Sequence, residues 1–167
     1  MTGKELKERY PFLIPRNRFT DKICEKEPGD NAEWYEDWTE LDEMPDGWRM
    51  AFGEQMCEEI REALLKEGGE QALNDYRIIQ IKEKYGYLHW YDANTNDEIQ
   101  KIIRKYEDIS EMTCIRCGKP ATKISKGWIS PFCDDCANEL SKDGYISFEP
   151  IFESSQHSGT LSTENSL

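Results

Sequence analysis

Four cysteines in two pairs constrain this chain more than any other feature: Cys114-Ile115-Arg116-Cys117 and Cys133-Asp134-Asp135-Cys136. Two residues between cysteines let one tight turn aim both sulfurs at a single ion. The fifteen residues between the pairs fall within the spacing of C-x-x-C pairs that hold structural zinc. Four thiolates complete a closed tetrahedron, which leaves no open position for a substrate. Gly118, directly after the first pair, can take the positive φ that turns backbone N–H groups back towards the sulfurs. A pair of disulfides would need an oxidising compartment, which nothing in the chain signals. A redox C-x-x-C is ordinarily a single pair beside a βαβ pattern, and the spacing departs from the usual run of a ferredoxin cluster. The expected cofactor is zinc, held by Cys114, Cys117, Cys133 and Cys136.

At 167 residues the chain can form one domain with a real core, or a small domain plus a zinc module. Five tryptophans, eight tyrosines and six phenylalanines supply bulk to bury and argue against global disorder. The net charge of −13 opposes general affinity for phosphate backbones. The charge is uneven, however. Residues 1–75 carry 10 basic and 20 acidic side chains, whereas residues 113–143 carry 5 and 4. A nucleic-acid contact at the zinc module therefore stays open, with Arg116, Lys119, Lys123 and Lys126 for phosphates and Trp128 as a stacking face. The N-terminus lacks the apolar core of a signal peptide, and no apolar run approaches the ~18 residues of a membrane span. The expected location is a reducing cytoplasm.

The pattern along the chain predicts an α+β fold: a small helix and β-hairpin body over 1–111, a C-terminal zinc module over 112–150, and a flexible tail over 151–167. Pro11 and Pro15 predict an extended segment over 1–20 that docks its apolar side chains on the core. Residues 25–46 are strongly acidic, with Lys26 their lone cation. Two readings are open for them: a solvated loop pinned by its aromatics, or a surface for a basic partner built from Trp34, Tyr35, Glu36, Asp37, Trp38 and Glu40. Phe52, Met56, Ile60 and Leu64 recur at helical spacing and predict a helix over 48–66 that ends at Gly68-Gly69. Cys57 beside that stripe reads as a small buried thiol. A β-hairpin is expected over 76–92, turning at Lys84-Tyr85-Gly86, with Leu88 and Trp90 on one face and His89 and Tyr91 on the other. His89 reads as a packed or surface group rather than a catalyst. A second helix is expected over 95–111, capped by Thr95 or Asn94, with Ile99, Ile102, Ile103, Tyr106 and Ile109 as its apolar stripe. In the module, short strands at Ala121–Ile124 and Trp128–Phe132 precede a helix that starts at Cys133. That order matches a treble-clef finger; a zinc ribbon is the alternative.

Several phrases together resemble a family of small zinc-finger-like proteins of bacteriophages and prophages. They are Pro45-Asp46-Gly47-Trp48-Arg49 leading into Phe52-Gly53, then the run from Ile81 to Tyr91, which resembles an "IKEKFGGLRFY" signature, then Cys114-x-x-Cys117-Gly118, Gly127-Trp128-Ile129 and Cys133-x-x-Cys136-Ala137. The likeness covers about residues 45–140. Tyr87 stands where the signature often has glycine, and His89 where it often has arginine. The resemblance implies a phage origin and a host cytoplasm, and it supplies no catalytic residues. The function expected is non-enzymatic binding of a host protein, with inhibition of a bacterial defence system as one concrete form. Nucleic-acid binding through the zinc module is the alternative. An enzyme ranks last, because a treble-clef nuclease needs a histidine and an open metal position, and all four expected ligands here are cysteines.

Overall fold

The computed structural model describes residues 1–25 and 36–151. The chain is α+β, as the sequence predicts, but its first segment differs from the expected extended chain. Thr2 accepts from the Glu5 N–H while Glu5 reaches back to the Thr2 N–H, and this reciprocal cap starts a helix, α1 (Gly3–Arg9). The prolines act one turn later than expected: Pro11 begins a 3-10 turn, Pro11–Leu13. The docking expectation holds, since Tyr10, Phe12 and Leu13 are all buried.

The helix expected over 48–66 is longer and is built in pieces. A single turn at Asp46–Trp48 runs into a π-helical segment at Arg49–Gly53, then into α2 (Glu54–Asp75). Phe52, Met56, Ile60 and Leu64 are all buried. The first helical stretch of α2 ends at Gly68-Gly69, as the sequence predicts, and a second stretch follows to Asp75. Gly69 sits at φ 63 and ψ −155, a conformation nearly reserved for glycine, and the chain then resumes its helix to bury Leu73.

Strands β1 (Arg77–Lys84) and β2 (Tyr87–Ala93) form the expected antiparallel hairpin, with Ile81 opposite Trp90 and Lys82 opposite His89. Tyr85 and Gly86 both take positive φ, 56 and 78, which gives the turn the twist that hairpins favour. Ile81, Leu88 and Trp90 point into the core. On the outer face His89 stacks on Tyr91, ring centres 6.0 Å apart and nearly parallel. Helix α3 (Asp97–Glu111) follows. Its cap is Asn96, whose side chain accepts from the Ile99 N–H at 2.9 Å. Asn94, one of the two expected caps, instead takes φ 58 and donates its amide to the Asp75 carbonyl at 2.6 Å. Ile99, Ile103 and Tyr106 are buried, while Ile109 at the end of the stripe is exposed. Helix α3 also seals the edge of β2: Ser110 Oγ accepts from the Leu88 N–H and Glu107 from the Trp90 N–H. A covered edge cannot pair with another chain. Between α2 and the hairpin, buried Tyr76 accepts from Trp90 Nε1 and donates to Asp92.

The last third carries β3 (Lys123–Ser125), β4 (Pro131–Phe132), α4 (Asp134–Ser141) and β5 (Phe148–Pro150). The two strands preceding α4 are shorter than expected. The third, β5, escaped the sequence reading; it returns after α4 to pair with β3, giving an antiparallel sheet in the order β4-β3-β5.

Candidate metal centre

The first cysteine pair lies on a knuckle that the backbone closes on itself. The Cys114 N–H donates to the Lys119 carbonyl at 2.8 Å, and the Gly118 N–H donates to the Cys114 carbonyl at 3.0 Å. Gly118 takes φ 75, as its place after the pair predicts. The second pair opens α4. Cys133 is the N-cap residue and its sulfur accepts from the Cys136 N–H at 3.5 Å. Asp134 and Asp135 occupy the first turn, where a helix favours negative charge.

These two turns bring all four sulfurs within 4.8 Å of one another. Cys117 Sγ and Cys133 Sγ are 3.5 Å apart. A tetrahedral ion with metal–sulfur bonds of about 2.3 Å sets its sulfurs about 3.8 Å apart, so the cluster can close on one ion with small adjustments. The donor chemistry fits as well. Burial disfavours a Cys114 thiolate, yet backbone N–H groups of Cys133, Cys117 and Arg116 outweigh it and bring the thiol down to about 7. Burial raises Cys136, and its hydrogen bonds with the other sulfurs add to this. Cys114 is thus the sulfur most readily deprotonated, and a bound cation would displace the remaining thiol protons. Cys114, Cys133 and Cys136 are buried and Cys117 is half-buried.

The knuckle is seated in the body by contacts that span the chain. Gly47 N–H donates to the Ile115 carbonyl at 2.9 Å. Trp48, fully buried, donates its indole N–H to the Thr113 carbonyl at 2.9 Å. A Cβ on Gly47 would stand 2.2 Å from the Cys114 carbonyl oxygen, and one on Gly118 would stand 2.7 Å from that of Gly47. The hairpin tip closes on the other side: a Cβ on Gly86 would stand 3.2 Å from Ile129, Ser130 and Pro131 atoms. The phrases of the Asp46–Trp48 turn, the hairpin tip and the first knuckle are therefore where body and module meet. Sequence reading missed Gly47, Trp48 and Thr113 as supports of the site; the only signal was the place of Gly47 and Trp48 in one of those phrases.

The other sequence candidates fall in different places. Each basic residue proposed for phosphate contact faces a carboxylate of the same module: Arg116 with Glu139 at 2.8 Å, Lys119 with Asp135 at 3.0 Å, Lys123 with Asp134 at 3.4 Å, and Lys126 with Glu149 at 3.2 Å. Trp128 is 77% exposed. Of the acidic aromatic stretch, Glu36 and Asp37 are exposed while Trp38 and Glu40 are half-buried; Trp34 and Tyr35 lie outside the described residues, as does nearly all of the tail over 151–167. Burial holds Glu40 above the usual carboxylate range, against the pull of the Arg16 N–H and Arg18. Cys57 is fully buried and its thiol is pushed far up, first by burial and then by Glu54 and Glu58. Among the described residues, no helix is long and apolar enough to cross a membrane. Comparison with family models, curated proteins and solved structures returned no match.

Proposed function

We propose that zinc occupies the four-cysteine centre as a structural staple, and that the chain is a non-catalytic bacteriophage protein that binds a host protein in the bacterial cytoplasm. The observation that carries this reading is the closed donor set. Cys114, Cys117, Cys133 and Cys136 converge and would fill all four positions of a tetrahedral ion, leaving none for water or substrate. The order of knuckle, short strands and helix supports a treble-clef arrangement. The phrases that resemble phage zinc-finger-like proteins support the origin, and inhibition of a host defence system is the form of binding we favour.

Exposed aromatic groups support a protein partner. Trp128, Tyr85 and Tyr145 are 77%, 74% and 93% exposed. The hairpin tip bearing Tyr85 abuts the Ile129–Pro131 backbone, and the Lys126 N–H donates to Ser147, so the three aromatics stand around one end of the C-terminal sheet. Large aromatics left in water in this way are the common anchors of protein interfaces. The nucleic-acid reading ranks below because the four cations it would use, Arg116, Lys119, Lys123 and Lys126, already face carboxylates.

Elemental analysis of purified protein, joined to capture from a bacterial lysate, tests both halves. One zinc per chain is expected. So is a specific host protein held by the wild type and lost by Trp128→Ala with Tyr145→Ala, with the metal retained in the variant. Absence of stoichiometric zinc refutes the staple; a partner held equally by both proteins refutes the surface. Charge reversal at Glu36 and Asp37 reports separately on the acidic stretch.

A further inference from the structure

Three arginines of this acidic chain line one cavity, remote in sequence from the metal centre. It has a volume of about 420 Å³ and lies between the loop after α1 and the open end of the β-hairpin. That volume falls in the range of small-molecule sites, roughly 300–1,000 Å³. Its apolar lining comes from Phe12, Ile14, Ile78 and Ala93, and its cations are Arg16, Arg18 and Arg77. Such a combination of apolar wall and convergent polar groups is the usual make-up of a ligand site.

Arg16 and Arg77 are held in place yet, among the described residues, incompletely used. Arg16 donates from Nη1 to the Asp21 carbonyl at 2.8 Å, and the same nitrogen lies 3.7 Å from the Asp21 carboxylate. Arg77 Nε reaches that carboxylate at 3.3 Å, and its Nη1 bonds the carbonyls of Asn74 and Tyr76. These guanidiniums are mostly covered, with side chains 27% and 22% exposed. Each has five N–H donors, so donors remain on both. Arg18 makes no ion pair among the described residues; it acts on Glu40 at longer range. Asp21 itself is held at φ 54, in the left-handed region, with its side chain 63% exposed. An exposed carboxylate thus stands where an external anion could stand, against two of the three guanidiniums.

We propose that this cavity binds a small phosphate monoester with an apolar or flat body, of the nucleoside monophosphate class. Arg16, Arg18 and Arg77 receive the phosphate as the Asp21 side chain swings out, and Ile14 and Ile78 pack against the body. A phosphate suits the site better than a carboxylate because it offers three terminal oxygens to three guanidinium forks. Two further carboxylates, Glu40 and Asp75, also line the cavity, so attraction comes from directed hydrogen bonds rather than from a strong net field. Carboxylates farther than about 8 Å are screened at physiological salt. This inference stands apart from the partner-binding reading and does not require it.

Calorimetric titration of the zinc-loaded full chain with adenosine, guanosine, cytidine and uridine monophosphates tests it. At least one is expected to bind saturably, and the matching nucleoside and inorganic phosphate each bind about tenfold more weakly, the worth of one hydrogen bond to a charged group. Arg18→Ala, which removes no ion pair among the described residues, weakens the same ligand about tenfold at unchanged melting temperature. Asp21→Asn, which removes the competing anion, tightens it. No saturable binding at millimolar ligand, equal binding by Arg18→Ala, or tighter binding of a carboxylate analogue than of its phosphate overturns the proposal.

Discussion

Gly47→Ala isolates the joint between the metal knuckle and the body. The added Cβ would lie 2.2 Å from the Cys114 oxygen and 2.6 Å from both the carbon and the oxygen of the Ile115 carbonyl. Ordinary contacts begin near ~3.5 Å, so knuckle and turn must part by about 1 Å, and the obstacle is backbone that cannot rotate aside. Parting breaks the Gly47–Ile115 hydrogen bond and pulls at the Trp48–Thr113 bond, both 2.9 Å. Two buried groups left without partners cost about 1–3 kcal/mol each, and overpacking adds about 1–3 kcal/mol. A loss of roughly 3–9 kcal/mol follows, a large share of the roughly 5–15 kcal/mol that holds most domains folded. Gly53→Ala is the control. Its nearest neighbour is a Leu41 methyl at 3.4 Å, and alanine is the better helix former by up to about 1 kcal/mol, so the change stays within about 1 kcal/mol of wild type. Urea denaturation at fixed zinc, followed by tryptophan fluorescence, measures both. A Gly47→Ala midpoint close to wild type, or a Gly53→Ala loss as large as that of Gly47→Ala, would refute the reasoning.

Removing the metal, or one ligand in Cys117→Ser, should collapse amide protection over 112–142 and leave α2 protected over its Met56–Leu64 stretch, since structural zinc is worth about 10–16 kcal/mol in small peptides; equal exchange in mutant and wild type contradicts a structural role. In the zinc-loaded native protein at pH 8, a thiol reagent should modify exposed Cys24 and spare Cys57, which is buried with its thiol pushed far up; rapid labelling of Cys57 by mass spectrometry would show that α2 opens readily. Stability should fall at both ends of the pH scale. Hydrogen bonds from Arg9 hold Glu58 below the usual carboxylate range, so its contribution is whole above about pH 4.3 and is lost as pH falls through the lowered folded value. Burial, with Glu58, pushes Tyr10 up to about 12, and burial, with Asp108, does the same to Tyr87; their contribution is whole below about pH 10 and is lost between about 10 and 12. Urea midpoints that stay level from pH 9 to 12 would rule out the tyrosine part.

The hairpin, α3 and the convergence of the four cysteines were legible because their signals are local. Alternating Leu88 and Trp90, the Ile99–Tyr106 stripe and two C-x-x-C turns each declare themselves within a few residues. Where two local signals compete, the chain's own pattern does not rank them. Pro11 and Pro15 signal an extended segment, yet the Thr2–Glu5 capping box before them starts α1, and past the expected stop at Gly68-Gly69 a second helical stretch forms and buries Leu73. Asn94, Thr95 and Asn96 are all competent caps, and only the positive φ of Asn94 and its bond to Asp75 decide among them. The contact of Trp48 with Thr113 spans 65 residues, and no periodicity encodes such a pairing. Strand β5 is equally opaque: three residues acquire strand geometry only because β3 is there to receive them.

If the four-cysteine centre holds zinc as proposed, a knuckle set into the body by Trp48 would tie the lifetime of the protein to metal supply. In a metal-starved cell the Thr113 carbonyl and the indole of Trp48 would lose their fixed mates together, and the opened chain would present both its C-terminal third and part of its interior to proteases. Abundance would then track the intracellular metal pool more steeply than a detachable finger on a loose tether would allow.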